Sequence, residues 1–252
     1  MHRILPSVLS AALSVFTCPH IANAQSAQEI VNHHIEALGG KEKLQSLNSV
    51  YLEGLAVLPN GAELHTRSWR VYDRLYRQEL DFGMGKIIII VTPNKGWTAN
   101  PSTGGAFKAL VPDQLKALQT EIDPAGPLVD YGTRGNKIEY AGADTVDGTP
   151  CVRVKVSFPS NQWIVYSFDR KTWYIMREIR HGGAMMGSGG SGAGWRGNAD
   201  DTVDIRFGDY RNTRGGYIFP FLITISGLDA NIKVEKIDIN GNVDVDALSK
   251  PK

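Results

Sequence analysis

Histidines, cysteines and clustered carboxylates are where a chain would hold a metal or a nucleophile, and this sequence keeps them apart. Beyond residue 24 the histidines are His33, His34, His65 and His181. His33 and His34 are neighbours in a helical stretch, so their side chains leave in different directions and cannot share one ion. No His-Glu-x-x-His, Cys-x-x-Cys or Gly-Lys-Ser/Thr phosphate loop occurs, and no carboxylate pair is marked out by its setting. Gly187-Ser188-Gly189-Gly190-Ser191-Gly192 has the spacing of a dinucleotide fingerprint. That fingerprint needs a strand turning directly into a helix that faces a pyrophosphate. Here the chain runs through Trp195-Arg196-Gly197-Asn198 into another alternating stretch. The sequence therefore predicts no cofactor, no metal and no enzyme.

Residues 182–197, with eight glycines, read as a flexible excursion. It is either a plain hairpin tip or a flap carrying Met185, Met186 and Trp195 toward an apolar opening.

The first residues read as a processing segment. His2 and Arg3 begin it, Ile4 to Phe16 is apolar, and Ala22-Asn23-Ala24 supplies a small-residue cleavage site before Gln25. This is the layout of a cleavable secretory peptide over residues 1–24, and it predicts export into the periplasm of a bacterium. Thr17 before Cys18 lacks the small residue expected at a lipidation site, so the product is predicted to carry no lipid anchor. Cys151 is then the only cysteine left, which leaves no internal disulfide and predicts a buried, inert thiol. Of 27 basic side chains one, Arg3, leaves with the leader, so the remainder balances the 26 acidic ones. A neutral chain with scattered charge has no footprint for nucleic acid and no basic cluster for an anionic membrane.

The remaining residues, 25–252, read as a single β-rich domain. Ala27, Ile30, Val31, His34, Ile35 and Leu38 recur at helical spacing before Gly39-Gly40, and residues 41–47 form a second short helix. From Ser49 the pattern turns to strand lengths separated by turns such as Pro59-Asn60-Gly61, Pro93-Asn94-Lys95-Gly96 and Asp147-Gly148. Around ten strands are predicted, interrupted by one helix over residues 112–122 with Leu115, Leu118 and Ile122 on one face. Tight turns make sequential strands antiparallel neighbours. Val152, Val154, Val156 and Phe158 alternate with Arg153, Lys155 and Ser157, so one face is apolar and the other wet.

Three helical pieces are too few to cover a sheet of that size. The fold class expected is mainly β (α+β): a curved antiparallel sheet, or open half-barrel, with a few helices covering its concave face. A tightly filled core and an open hollow fit the pattern equally. If there is a hollow, its lining or rim is predicted to include Trp69, Trp97, Leu115, Leu118, Ile164, Tyr166, Phe168 and Phe207. Arg67 and Arg70 share a strand with Trp69 and offer a cation to the rim.

Several stretches together resemble the outer-membrane lipoprotein-sorting proteins of the LolA-like superfamily, especially the version common in Bacteroidetes. They are Ala37-Leu38-Gly39-Gly40-Lys41-Glu42-Lys43-Leu44, Ser49-Val50 with Glu53-Gly54, and Gly96-Trp97-Thr98-Ala99-Asn100-Pro101. Asp147-Gly148-Thr149-Pro150-Cys151, Phe207-Gly208-Asp209-Tyr210-Arg211, Gly216-Tyr217 with Phe219-Pro220, and Ile237 with Ile239-Asn240 follow in the same order. The resemblance implies a lidded, concave apolar sheet in a periplasmic carrier of acyl chains or other lipids. It also implies membrane-associated donor and acceptor proteins; no local motif carries the family's functional arginine over to a position here. The first functional reading is thus a monomeric carrier of a lipid or lipoprotein acyl chain. The second is an envelope sensor or interaction module that binds a partner protein on the same scaffold, and a hydrolase ranks last.

Overall fold

The computed structural model describes residues 26–181, 202–226 and 230–251. The leader and the glycine-rich excursion with Met185, Met186 and Trp195 lie outside the described residues.

Ser26 starts α1 (Ala27–Ala37) with a capping box, its hydroxyl accepting from the Glu29 amide while the Glu29 carboxylate accepts from the Ser26 amide. Helix α2 (Lys41–Gln45) follows the Gly39-Gly40 corner, where both glycines have positive φ. Six strands then form a meander: β1 (Ser49–Val57), β2 (Glu63–Val71), β3 (Leu75–Asp81), β4 (Lys86–Val91), β5 (Gly96–Ala99) and β6 (Lys108–Ala109). The chain next crosses the sheet through α3 (Pro112–Gln119) and a long irregular segment. A second meander runs β7 (Lys137–Val146), β8 (Thr149–Ser157), β9 (Trp163–Asp169), β10 (Ile175–His181), β11 (Thr202–Asn212), β12 (Ile218–Ile225) and β13 (Asn231–Ile239). Helix α4 (Val245–Leu248) ends the described chain.

All thirteen strands of the described residues join one antiparallel sheet in the order β6-β5-β4-β3-β2-β1-β13-β12-β11-β10-β9-β8-β7. The first and last strands meet at its centre, and the edges β6 and β7 stay apart, so the sheet is curved but unclosed. That is the predicted half-barrel, with more strands than the pattern suggested because β5 and β6 are too short to show as alternating runs. The central seam is locked by Asn240, whose side chain accepts from the amides of Asn48 and Ser49 and donates to the Ser46 carbonyl. Register shifts at Glu53/Gly54, Tyr140/Ala143 and Ile175/Arg177 bend the strands and add to the curvature. Gly54 is required at the first of these, since a β-carbon there would stand 2.9 Å from the Lys233 carbonyl oxygen.

The helices fill two parts of the concave face. Ile30, Val31 and Ile35 of α1 pack on Val152, Val154, Tyr166 and Phe168. Leu118 of α3 and Ile122 pack on Tyr76, Ile89 and Val91, with Leu115 at the margin. Gly96 makes room for this second contact, because a β-carbon there would meet Leu110 and Leu115. The convex face is not uniformly wet: α4 and Val243 cover Leu75, Ile90 and Trp97 on it. Cys151 is buried and its thiol is pushed up, chiefly by burial.

His34 sits fully inside the α1 contact, edge-on to Phe168 with ring centroids 5.1 Å apart. Its Nδ1–H donates to the Trp173 carbonyl at 2.8 Å. Burial holds its pKa down at about 4, against an ordinary 6.5, despite the opposing pull of that hydrogen bond. Between those values the unfolded chain binds a proton that the folded protein refuses, so stability is lost as the pH falls through this window. Denaturation by urea is expected to show about 2 kcal/mol less stability at pH 5 than at pH 7. In a His34→Gln variant most of that difference should vanish. An unchanged difference would assign the pH dependence to another group.

Candidate functional site

Between the two helical contacts the concave face keeps a hollow of about 310 Å3. Its apolar lining comes mainly from the central strands: Val50 and Leu52 of β1, Ile205 and Phe207 of β11, Phe219 and Ile223 of β12, and Ile232 and Val234 of β13. Leu38 and Leu44 border it from the α1–α2 corner, and Pro124 to Val129 of the crossing segment form another wall. The volume falls at the lower end of the roughly 300–1,000 Å3 typical of ligand sites.

Strand parity decides which predicted residues reach this space. Tyr166 and Phe207 border it. Ile164 and Phe168 share the same inner face but are covered in the cluster that α1 completes. Leu115 and Leu118 belong to the α3 contact with the sheet. Trp69 lies on the convex face, where it meets Tyr51 with centroids 5.0 Å apart, and Trp97 lies on that face beneath α4. Arg70, one residue from Trp69, therefore faces inward, while Arg67 pairs with Glu53 across the outer face.

Parity alone misses Tyr210, which borders the hollow although it is three residues from Phe207. Asp209, at φ 51°, breaks the alternation between them. The Tyr210 hydroxyl donates to the Ile175 carbonyl at 2.6 Å.

One margin of the hollow is ionic. Glu121, directly after α3 on the crossing segment, is 4 % exposed. One of its carboxylate oxygens accepts from Arg70 Nη2 of β2 at 2.5 Å, and the other from Arg180 Nη1 of β10. Arg180 also donates through Nε to Glu178, itself buried at 5 % exposure on the same strand face. The Arg70 guanidinium lies over the Tyr76 ring at 5.3 Å. Burial alone would raise the Glu121 carboxyl, but Arg180 and then Arg70 outweigh it and hold the pKa at about 2. Burial, reinforced by the nearby carboxylates, pushes the phenols of Tyr76, Tyr166 and Tyr210 up, so they remain neutral donors.

Asp123, a further acidic side chain of the crossing segment at the hollow, pairs with Arg134. The ionic margin leaves little mark in the sequence. Glu178 and Arg180 alternate as a wet face would, and Glu121 follows a helix without any periodic signal.

Solved structures share this fold. A domain assigned to outer-membrane lipoprotein sorting from Vibrio parahaemolyticus matches with a TM-score of 0.50 at 8 % identity, over 89 % of this chain and 100 % of the other. A DUF1329-family protein from Desulfovibrio piger matches at 0.52 and 10 % identity, covering 89 % of this chain and 97 % of its own. A LolA-superfamily protein from Nitrosomonas europaea gives 0.52 and 10 % identity, over 90 % and 99 %. No protein-family model and no curated protein sequence matches the chain.

Breaking a buried ion pair from one side costs about 3–5 kcal/mol, because the partner charge is stranded. Glu121→Gln is accordingly expected to lower stability by about 3 kcal/mol in urea denaturation near pH 7. In a double-mutant cycle, Arg70→Met should cost less in the Glu121→Gln background, with a coupling of about 1–3 kcal/mol. Additive losses would mean that the two side chains do not interact in solution. The carboxylate's contribution is complete above pH about 4.5 and disappears as the pH falls through about 2.

Proposed function

We propose that the protein is a carrier that shelters an acyl chain in the hollow between the concave sheet and its sparse cover, and that it works in the periplasm. The observation that carries this reading is the hollow of about 310 Å3, apolar over its central strands and left unfilled by the protein's own helices. The shared fold with a lipoprotein-sorting domain and a LolA-superfamily protein supports it. So does the leader-like sequence of residues 1–24. No helix among the described residues is long and apolar enough to cross a membrane. The reading involves no covalent step: uptake and release are burial and re-exposure of apolar surface, with membrane-associated proteins as donor and acceptor.

Sizes and energies bound the mechanism. The hollow has room for on the order of ten methylene-sized groups. Their burial gains on the order of 8 kcal/mol before ordering costs, at about 0.8 kcal/mol each. A longer chain fits only if the crossing segment and its helix shift outward. The closed, self-packed arrangement then competes with cargo, which keeps binding reversible.

Purified protein is expected to release an acyl lipid on organic extraction, detected by mass spectrometry. It should also bind an uncharged naphthylamine dye at one site. Ile223→Trp, which fills the hollow from β12, should weaken dye binding at least tenfold while the protein stays folded. Absence of both lipid and dye binding would overturn the carrier reading.

A further inference from the structure

Resting on the carrier reading, we propose that the ligand is an anionic amphiphile whose acid group replaces the Glu121 carboxylate between Arg70 and Arg180. The inference comes from charge counting at one margin of the hollow. Two guanidinium groups and two carboxylates, Glu121 and Glu178, meet there. Three of these groups are fixed to the sheet: Arg70 on β2, and Glu178 and Arg180 on β10. Glu121 alone belongs to the crossing segment. Tyr76, Tyr166 and Tyr210 face the same space uncharged, His34 is neutral, and Asp123 is held by Arg134.

Any outward shift of the crossing segment that removes Glu121 therefore leaves an excess positive charge beside an apolar hollow. Stranding a buried charge in this way is strongly unfavourable. A chain longer than the hollow holds requires that shift. A neutral head leaves the arginines without a counter-charge. A carboxylate or phosphate monoester at the head supplies one, and the planar guanidinium groups suit either. Glu121 is then an internal stand-in for the ligand's own acid group, and it selects against uncharged lipids of the same length.

The test compares ligands with one chain and three heads. Dodecanoate, dodecyl phosphate and dodecanol are titrated against the dye-loaded protein at pH 7. At least one of the two anions is expected to bind at least tenfold more tightly than dodecanol, although ionisation makes it the more water-soluble molecule. Which anion binds better identifies the head as carboxylate or phosphate. Arg70→Met, with folding verified by its melting transition, should remove most of that preference and leave dodecanol binding within about twofold. Glu121→Gln, which takes away the internal competitor, should raise anion affinity severalfold without helping dodecanol. If Arg70→Met does not fold, the wild-type comparison and Glu121→Gln decide. Equal affinity for all three heads, with the dye bound, overturns this inference and leaves the carrier reading standing. Failure of every ligand and of the dye overturns both.

Discussion

The grip of two arginines on one glutamate joins the three parts of this molecule. Arg70 belongs to the first meander, Arg180 to the second, and Glu121 to the segment that crosses between them. The sheet is unclosed at its edges, so nothing in its own hydrogen bonding holds the two wings at a set distance. The carboxylate does so at the hollow's margin, taking one guanidinium from each wing. Ionic contacts in a protein interior rarely add much net stability compared with apolar packing, but they tolerate little displacement. That combination suits an element whose position must be definite in one state and surrendered in another.

The hollow itself is what remains after two separate helical contacts have taken their share of one concave face. Helix α1 covers β8 and β9, and α3 covers β3 and β4. The strands between them, β1 and β11 to β13, carry apolar side chains of the same kind but meet only the α1–α2 corner, through Leu38, Leu44 and Leu47. A fourth helix was available, yet α4 turns to the convex face and packs near Trp97 there. Cover is thus present but misallocated with respect to a fully packed core, and the middle of the concave face keeps its hollow.

Much of this was legible in the sequence wherever a period existed to read. The alternation of Val152, Val154 and Val156 gave the inner face of β8, and the spacing of Ile30, Val31, His34 and Ile35 gave the buried side of α1. The curvature followed from counting strands against helices. The lining of the hollow was less accessible. Aromatic type singled out Trp69 and Trp97, but parity relative to Arg70 and the placement of α4 put both on the far side of the sheet. Tyr210 was hidden by the positive φ of Asp209, which no alternating pattern anticipates. The ionic margin was hidden more deeply, because Glu121 stands about fifty residues or more from either arginine and inward-facing charges look like a wet face until the pairing is known.

The central seam also has a bearing on when this protein can exist in its final shape. Strand β1, the first to emerge from the ribosome, finds one of its two neighbours in β13, almost the last. Asn240 fastens that junction to residues about 190 positions earlier. Contacts so remote in sequence form late, because the intervening chain must first be brought to order. A nascent chain therefore lacks the middle of its own sheet. The α3 contact with β3 and β4 can form earlier, but the centre of the sheet closes only with its final strand.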